Sequence, residues 1–272
     1  MPIPAPVVTG LRRTLSRLLS RRAPPPAQAP LPLSTLAPER PFVAVGDIHG
    51  RADLLLDLDR QIAAHCAGWP VVLLGDYIDR GEQSREVLDL LMTLSAEGTP
   101  PVTCLMGNHE RMLLDFLDFP ERRGPVWLRN GGLQTLASFG IAPPVGAQAD
   151  ATALGTLRDR LADAMGEPMI AWLRARPLFW QSGNIWAVHA GADPDRPIPD
   201  QATDTLTWGH ADFLRRPRPD GHWVAHGHSI VDTPEVRDGR IALDTGAYAT
   251  GRLTAAAIAA GDVRFFQTGP GL

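Results

Sequence analysis

Three short apolar runs punctuate the first half of the chain, and each stops at glycine followed by a polar residue. Phe42-Val-Ala-Val45 leads into Gly46-Asp47, Val71-Val-Leu-Leu74 into Gly75-Asp76, and Val102-Thr-Cys-Leu-Met106 into Gly107-Asn108. Runs of this length with turn signals behind them predict buried strands. Between them the period changes. Leu54, Leu55, Leu58 and Ile62 fall on one face of a predicted helix over 51–65, a second helix is predicted over 83–97, and a third runs from Asn108 to about Phe116. The βαβαβα alternation predicts a parallel sheet with helices on its faces. Residues 120–180 show helical or irregular pattern and no strand, and are expected to form an inserted cap. Four later segments, Asn184 to Val188, His222 to Ala225, Arg240 to Leu243 and Leu253 to Ile258, predict the strands of a second sheet.

The first 38 residues differ in kind. They hold Arg12, Arg13, Arg17, Arg21 and Arg22 and no acid, so a formal charge of −4 for the chain leaves −9 for residues 39–272. An acidic body argues against nucleic-acid binding. Leu11, Leu15, Leu18 and Leu19 sit at helical spacing among these arginines. The expectation is a basic, Pro-rich and disordered extension, capable of weak contact with an anionic membrane surface, followed by a catalytic domain over 39–272. The absence of lysine reads as base composition of the gene. With 44% hydrophobic and 21% charged residues in 272, the chain has the make-up of an ordinary globular protein, and it contains no apolar run of the roughly 18 residues a membrane span needs. Two lone cysteines, Cys66 and Cys104, predict a reducing cytoplasm rather than a disulfide framework. A monomer is expected.

The candidate chemistry follows from where the polar residues fall. Ligands of open α/β sheets bind beyond the carboxyl ends of the strands, so Asp47, Asp76 and Asn108 should converge although about 30 residues separate each from the next. Glycine before each one lets the backbone turn tightly. Asp47 and His49 are two residues apart and can face one ion. Asp76 can bridge two ions. Asn108 offers a neutral carbonyl oxygen, and His189 and His228 follow short strands that would bring them to the same rim. Mixed oxygen and nitrogen donors suit Mn²⁺, Fe or Zn²⁺ better than Ca²⁺ or Mg²⁺. Two divalent ions against two carboxylates leave about two positive charges, suited to a phosphate substrate and a metal-bound hydroxide nucleophile. The leaving alkoxide still needs a proton. His109 is the expected general acid, Asp79 the carboxylate that orients it, and Arg80 a two-pronged phosphate contact.

These residues form a set that resembles the metallophosphoesterases, in particular the phosphoprotein phosphatase family of serine/threonine phosphatases. The matching pieces are Gly46-Asp-Ile-His-Gly50, Gly75-Asp-Tyr-Ile-Asp-Arg-Gly81, Gly107-Asn-His-Glu110, His189-Ala-Gly191 and Gly227-His228. Trp127-Leu-Arg-Asn-Gly-Gly132 and Asp244-Thr-Gly-Ala247 are similar to segments of bacterial and phage members such as the lambda phage phosphatase. The resemblance spans roughly residues 42–258. It implies a four-layered α/β/β/α sandwich of two mixed sheets. It also implies one metal on Asp47, His49 and Asp76 and a second on Asp76, Asn108, His189 and His228, with manganese the first expectation. Substrates would be phosphorylated proteins or peptides.

One departure stands out. Similar proteins place a second phosphate-gripping arginine two residues after a tryptophan, and here that place holds His210, with Arg215 and Arg216 as candidate substitutes. His210 is therefore expected to make a weaker or pH-dependent phosphate contact. Tyr248 is expected to lean over the site. Two other functions fit the same residues less well. A dinucleoside polyphosphate hydrolase of the diadenosine tetraphosphate type usually lacks the acid at Asp79 and tends to have Asp for Glu110. A silent binding module would not need the full ligand set.

Overall fold

The computed structural model describes residues 34–142 and 150–269. The basic segment and the expected amphipathic helix lie outside the described residues. Two five-stranded sheets are stacked face to face. The first has the order β10-β9-β1-β2-β3, with β1 Phe42–Val45, β2 Val71–Leu73, β3 Val102–Cys104, β9 Thr254–Ala259 and β10 Asp262–Gln267. The second has the order β4-β5-β6-β8-β7, with β4 Phe179–Ser182, β5 Ile185–Val188, β6 Trp223–His226, β7 Glu235–Arg237 and β8 Arg240–Ala242. Both sheets are mixed. β1, β2 and β3 are parallel, as are β5, β6 and β8, while β9 pairs antiparallel with β1 and β10, β4 with β5, and β7 with β8.

Period-two alternation assigns each strand residue to a layer. Phe42, Ala44, Val72 and Leu74 point between the sheets, where they meet Ile185, Ala187, Ala225 and Ile241. Val43, Val45 and Leu73 point the other way, into a core shared with α1 Ala52–His65, α2 Ser84–Glu97 and α3 Asn108–Asp118. On the far face of the second sheet, Trp186, Val188 and Val224 pack on Ile198, Leu206 and Phe213. The result is the four-layered sandwich. Strands buried on both faces explain why the runs at 42–45 and 71–74 are apolar at every position.

The helices of the expected insertion are α4 Pro120–Trp127, α5 Leu133–Ser138 and α6 Ala151–Arg174, with a wide turn over Leu128–Gly132 joining the first two. Trp127, Leu136, Leu154, Leu157 and Leu161 lie in the same core as α1 to α3, so this segment extends the outer helical layer. Three expectations are corrected. The segment 120–180 is not free of strand, since β4 begins at Phe179. The run from Leu253 to Ile258 belongs to the first sheet, where β9 pairs antiparallel with β1. The boundary at residue 38 falls late: Leu36 is buried between the sheets, and the Trp223 indole donates to the Ser34 carbonyl at 2.7 Å.

Candidate active site

Every expected ligand stands just beyond the carboxyl end of a parallel strand. The first sheet presents Asp47 and His49 after β1, Asp76 after β2 and Asn108 after β3. The second presents His189 after β5, His228 after β6 and Asp244 after β8. Hydrogen bonds fix these loops to one another. Ile48 and His49 both donate their amides to the Asp76 carbonyl, at 3.1 and 2.9 Å, and Gly227 donates to the His189 carbonyl at 2.8 Å. Two glycines permit the approach. A Cβ on Gly107 would stand 2.3 Å from a carboxylate oxygen of Asp76, and one on Gly227 would stand 1.9 Å from Asp47. The ligand loops are also tightly bent. His49, Asp76, Asp79, Arg80 and His228 all take φ between 46° and 70°. The one other non-glycine residue with positive φ among the described residues, Asp238, sits in the β7–β8 turn. Left-handed backbone costs a non-glycine residue about 1–2 kcal/mol. Here it is confined almost wholly to the site.

Two groups of side chains converge within metal-binding range, and both contain Asp76. One is His49, Asp76 and His109; the other is Asp76, His189 and His228. One oxygen of Asp76 lies 3.5 Å from His49 Nε2 and 3.9 Å from His109 Nε2, and the other lies 3.3 Å from His189 Nε2. Asn108 Oδ1 is 2.8 Å from His189 Nε2 and 3.0 Å from His228 Nδ1. The second expected set, Asp76, Asn108, His189 and His228, is thus brought together. The first is met differently: Asp47 belongs to neither group, and its carboxylate accepts the His228 amide at 3.1 Å on both oxygens.

The donor chemistry fits divalent ions. His49 Nδ1–H donates to the Ile78 carbonyl at 2.8 Å and His189 Nδ1–H to the Leu74 carbonyl at 2.9 Å, which leaves each Nε2 with a lone pair facing the site. Burial pushes His49 down to about 3 and His189 to about 4, so both are neutral at pH 7. The His189 lone pair therefore faces the Asn108 carbonyl oxygen with no proton between them. Burial and then the charges of Asp244 and Asp76 hold the Asp47 carboxyl well above its usual range, while burial and Asp76 raise Glu110 to about 8. Five carboxyl groups, Asp47, Asp76, Asp79, Glu110 and Asp244, are at most 3% exposed. Lone pairs crowded together beside like-charged carboxylates form a cavity short of positive charge. Divalent cations would supply it.

Beside the shared carboxylate lies a second constellation. His109 Nδ1–H donates to Asp79 at 2.7 Å. Burial works against the imidazolium, but Asp76 and Asp79 outweigh it and raise His109 above its ordinary value. The Trp127 indole donates to Asp79 at 3.1 Å and the Thr135 hydroxyl at 2.6 Å. Arg80 lies over the Tyr248 ring at 4.9 Å, with Nη1 3.1 Å from His49 Nε2, and the Tyr248 ring meets His49 edge-on at 5.4 Å. His210 lines a hollow together with His228 and Trp208. The candidate substitutes do not reach it: Arg216 pairs with Asp195 and Asp212, and Arg215 is exposed beside Asp212.

Some contacts have no counterpart in the sequence pattern. Among the described residues Glu110 pairs with no arginine; it accepts the amides of Asp76, Tyr77 and Gly107 at 2.8–3.0 Å and so clamps the β2 loop to the start of α3. Thr135, on α5, carries no motif signal. His226 points away from the ligands and packs on the Phe213 ring at 4.9 Å.

The family model described as calcineurin-like phosphoesterase matches residues 40–232, and the chain belongs to that family. Serine/threonine-protein phosphatase PP1-1 of Saccharomyces cerevisiae is 39% identical over 72 residues, 26% of this chain and 23% of that protein. A protein phosphatase 2A catalytic subunit of Dictyostelium discoideum is 39% identical over 70 residues, 26% of this chain and 22% of that protein. The matched stretch thus spans less than a quarter of these relatives. A crystal structure provisionally named a diadenosine tetraphosphatase superposes with a TM-score of 0.59 at 20% identity, covering 88% of this chain and all of the other. A cold-active protein-tyrosine phosphatase of a psychrophilic Shewanella gives 0.52 at 18%, covering 89% of this chain and 88% of that one. At these identities the structural matches bear on the fold.

Proposed function

We propose that the chain is a two-metal phosphomonoesterase acting on phosphoserine and phosphothreonine in proteins or peptides. The observation that carries this reading is the carboxylate of Asp76, one oxygen facing His49 and His109 and the other facing His189, with His109 held in turn by Asp79. Asp47, His49 and Asp76 would hold one ion, and Asp76, Asn108, His189 and His228 the other. Bound ions would offset the phosphoryl charge and make a water acidic enough to attack near neutral pH. Manganese is the metal we expect to activate best.

The protein's own groups do the rest. Arg80, stacked over the Tyr248 ring beside the site, is placed to take two phosphoryl oxygens with its guanidinium. His109 keeps Nδ1–H on Asp79, so the proton it can release is the one on Nε2. That proton goes to the leaving oxygen of the serine or threonine, which would otherwise depart as an alkoxide. Asp79 then holds the neutral imidazole in place, and Trp127 and Thr135 hold Asp79. His210, beside His228, is the weaker second phosphate contact. Unpaired Cys66 and Cys104 are in keeping with a cytoplasmic setting.

The test compares phosphoserine, phosphothreonine and phosphotyrosine peptides with diadenosine tetraphosphate under Mn²⁺. Faster turnover of the two alcohol phosphoesters supports the proposal. Faster turnover of the dinucleotide would replace it with a polyphosphate hydrolase. Activity that survives His109→Asn unchanged would remove the general acid.

A further inference from the structure

Asn108, Arg111 and Asp115 follow one another at helical spacing along a single stripe of α3. Asn108 faces the ligand histidines, so Arg111 stands one turn outward from the metals, and helical side chains lean back toward the N-terminus, here toward the site. Arg111, Met112 and Asp115 form one wall of a cleft of about 370 Å³, with Arg123 and Val126 of α4 and with Asp204 and Trp208 of α7, Thr203–Trp208. The Trp208 ring lies edge-on to His228 at 6.2 Å, and its side chain is 49% exposed. The cleft therefore opens directly beside the site, yet none of the ligand residues lines it.

Charge within the cleft is uneven from one end to the other. Asp115 is taken by Arg123, 3.6 Å away. Asp204 lies in the first turn of α7, one turn before Trp208. Arg111 is half-buried, and its guanidinium has no carboxylate in ion-pair range among the described residues. The end nearest the phosphoryl position thus presents an unpaired guanidinium and an exposed indole.

We propose that this cleft receives the residue next to the phosphorylated one and that Arg111 selects an anionic side chain there. The inference rests on the phosphatase reading above and deepens it: the preferred substrate is an acidic phosphopeptide. A partly desolvated guanidinium gains most from a carboxylate that arrives with the substrate, and Trp208 covers the aliphatic stem of that residue. Arg111 is a specificity residue and takes no part in the chemistry.

The experiment measures kcat/KM with Mn²⁺ for p-nitrophenyl phosphate and for phosphoserine peptides carrying Glu, Ala or Arg at both neighbouring positions. Wild type should favour the Glu peptide over the Ala peptide by about fivefold, less at high salt. Arg111→Ala should bring that ratio to one through KM, with p-nitrophenyl phosphate turnover within about twofold of wild type. Arg111→Glu should turn the preference toward the Arg peptide. A ratio unchanged in Arg111→Ala, or an equal loss on p-nitrophenyl phosphate, would overturn the proposal. Arg111→Gln, close in size and uncharged, guards against a folding artefact and should also lose the preference. A wild type inert toward all these substrates would instead overturn the phosphatase reading, and the inference with it.

Discussion

His109 donates its Nδ1–H to Asp79 across 2.7 Å, and both residues are almost fully buried. The carboxylate fixes which imidazole proton can leave and stabilises the charged ring. The sign of the pH effect follows. The acid form of His109 is present below its raised pKa and is lost as pH rises through it. Removing the Asp79 charge in Asp79→Asn lowers that pKa, so the alkaline limb of kcat/KM should move to lower pH, with kcat reduced roughly 10- to 100-fold. The measurement is the pH profile on p-nitrophenyl phosphate with Mn²⁺. An alkaline limb that stays in place would show that some other group donates the proton.

Asp76 is common to both ligand groups, whereas His228 serves only one. After dialysis against buffered Mn²⁺, wild type should retain about two ions per chain, His228→Ala about one, and Asp76→Ala fewer than one. Elemental analysis reads this without any assay of activity. Equal retention by the two variants would contradict the shared-carboxylate arrangement.

Trp127 does two jobs. Its ring stacks on Phe116 with centroids 4.8 Å apart, and its N–H binds Asp79. Trp127→Phe keeps most of the packing and deletes the donor, which should cost about 1 kcal/mol of stability and a several-fold loss in kcat. Trp127→Ala empties a fully buried position and should cost about 3–5 kcal/mol in urea unfolding. If the two variants are equally stable, the packing account fails.

Gly107 and Gly68 make a matched pair. A methyl group on Gly107 would meet the Asp76 carboxylate and amide at 2.3 and 2.4 Å; at Gly68, with φ of +79°, it would meet nothing within 4 Å. Gly107→Ala should abolish most activity and metal retention. Gly68→Ala should keep activity and lose only about 1 kcal/mol to backbone strain. Comparable activity in the two would show that the loop can shift to make room.

The ligand set is readable in the chain because burial on both faces writes the central strands as unbroken apolar runs, with the functional residue just past each end. The strands that the pattern does not reveal, β4, β7 and β10, are all at sheet edges. β7 is exposed at each of its three positions and β10 at alternate ones near its start, so neither shows the continuous run of a buried strand. Sheet membership is equally hidden: whether 253–258 joins the first or second sheet depends on pairing with β1 some 200 residues earlier. Trp127 and Thr135 reach Asp79 from 48 and 56 residues away, and no local spacing encodes such contacts. Asp47 stands at its strand end as the pattern implies, but its carboxylate accepts the amide of His228, 181 residues away, and no local spacing encodes that contact.

The division of ligands between the two sheets has a mechanical side. Asp47, His49, Asp76 and Asn108 ride on one layer of the sandwich, His189 and His228 on the other. An ion held by Asp76, Asn108, His189 and His228 would act as a rivet through the seam where the layers meet at that end. Sliding one layer against the other would carry His189 and His228 away from Asp76 and Asn108, so that ligand set depends on how the two sheets are seated.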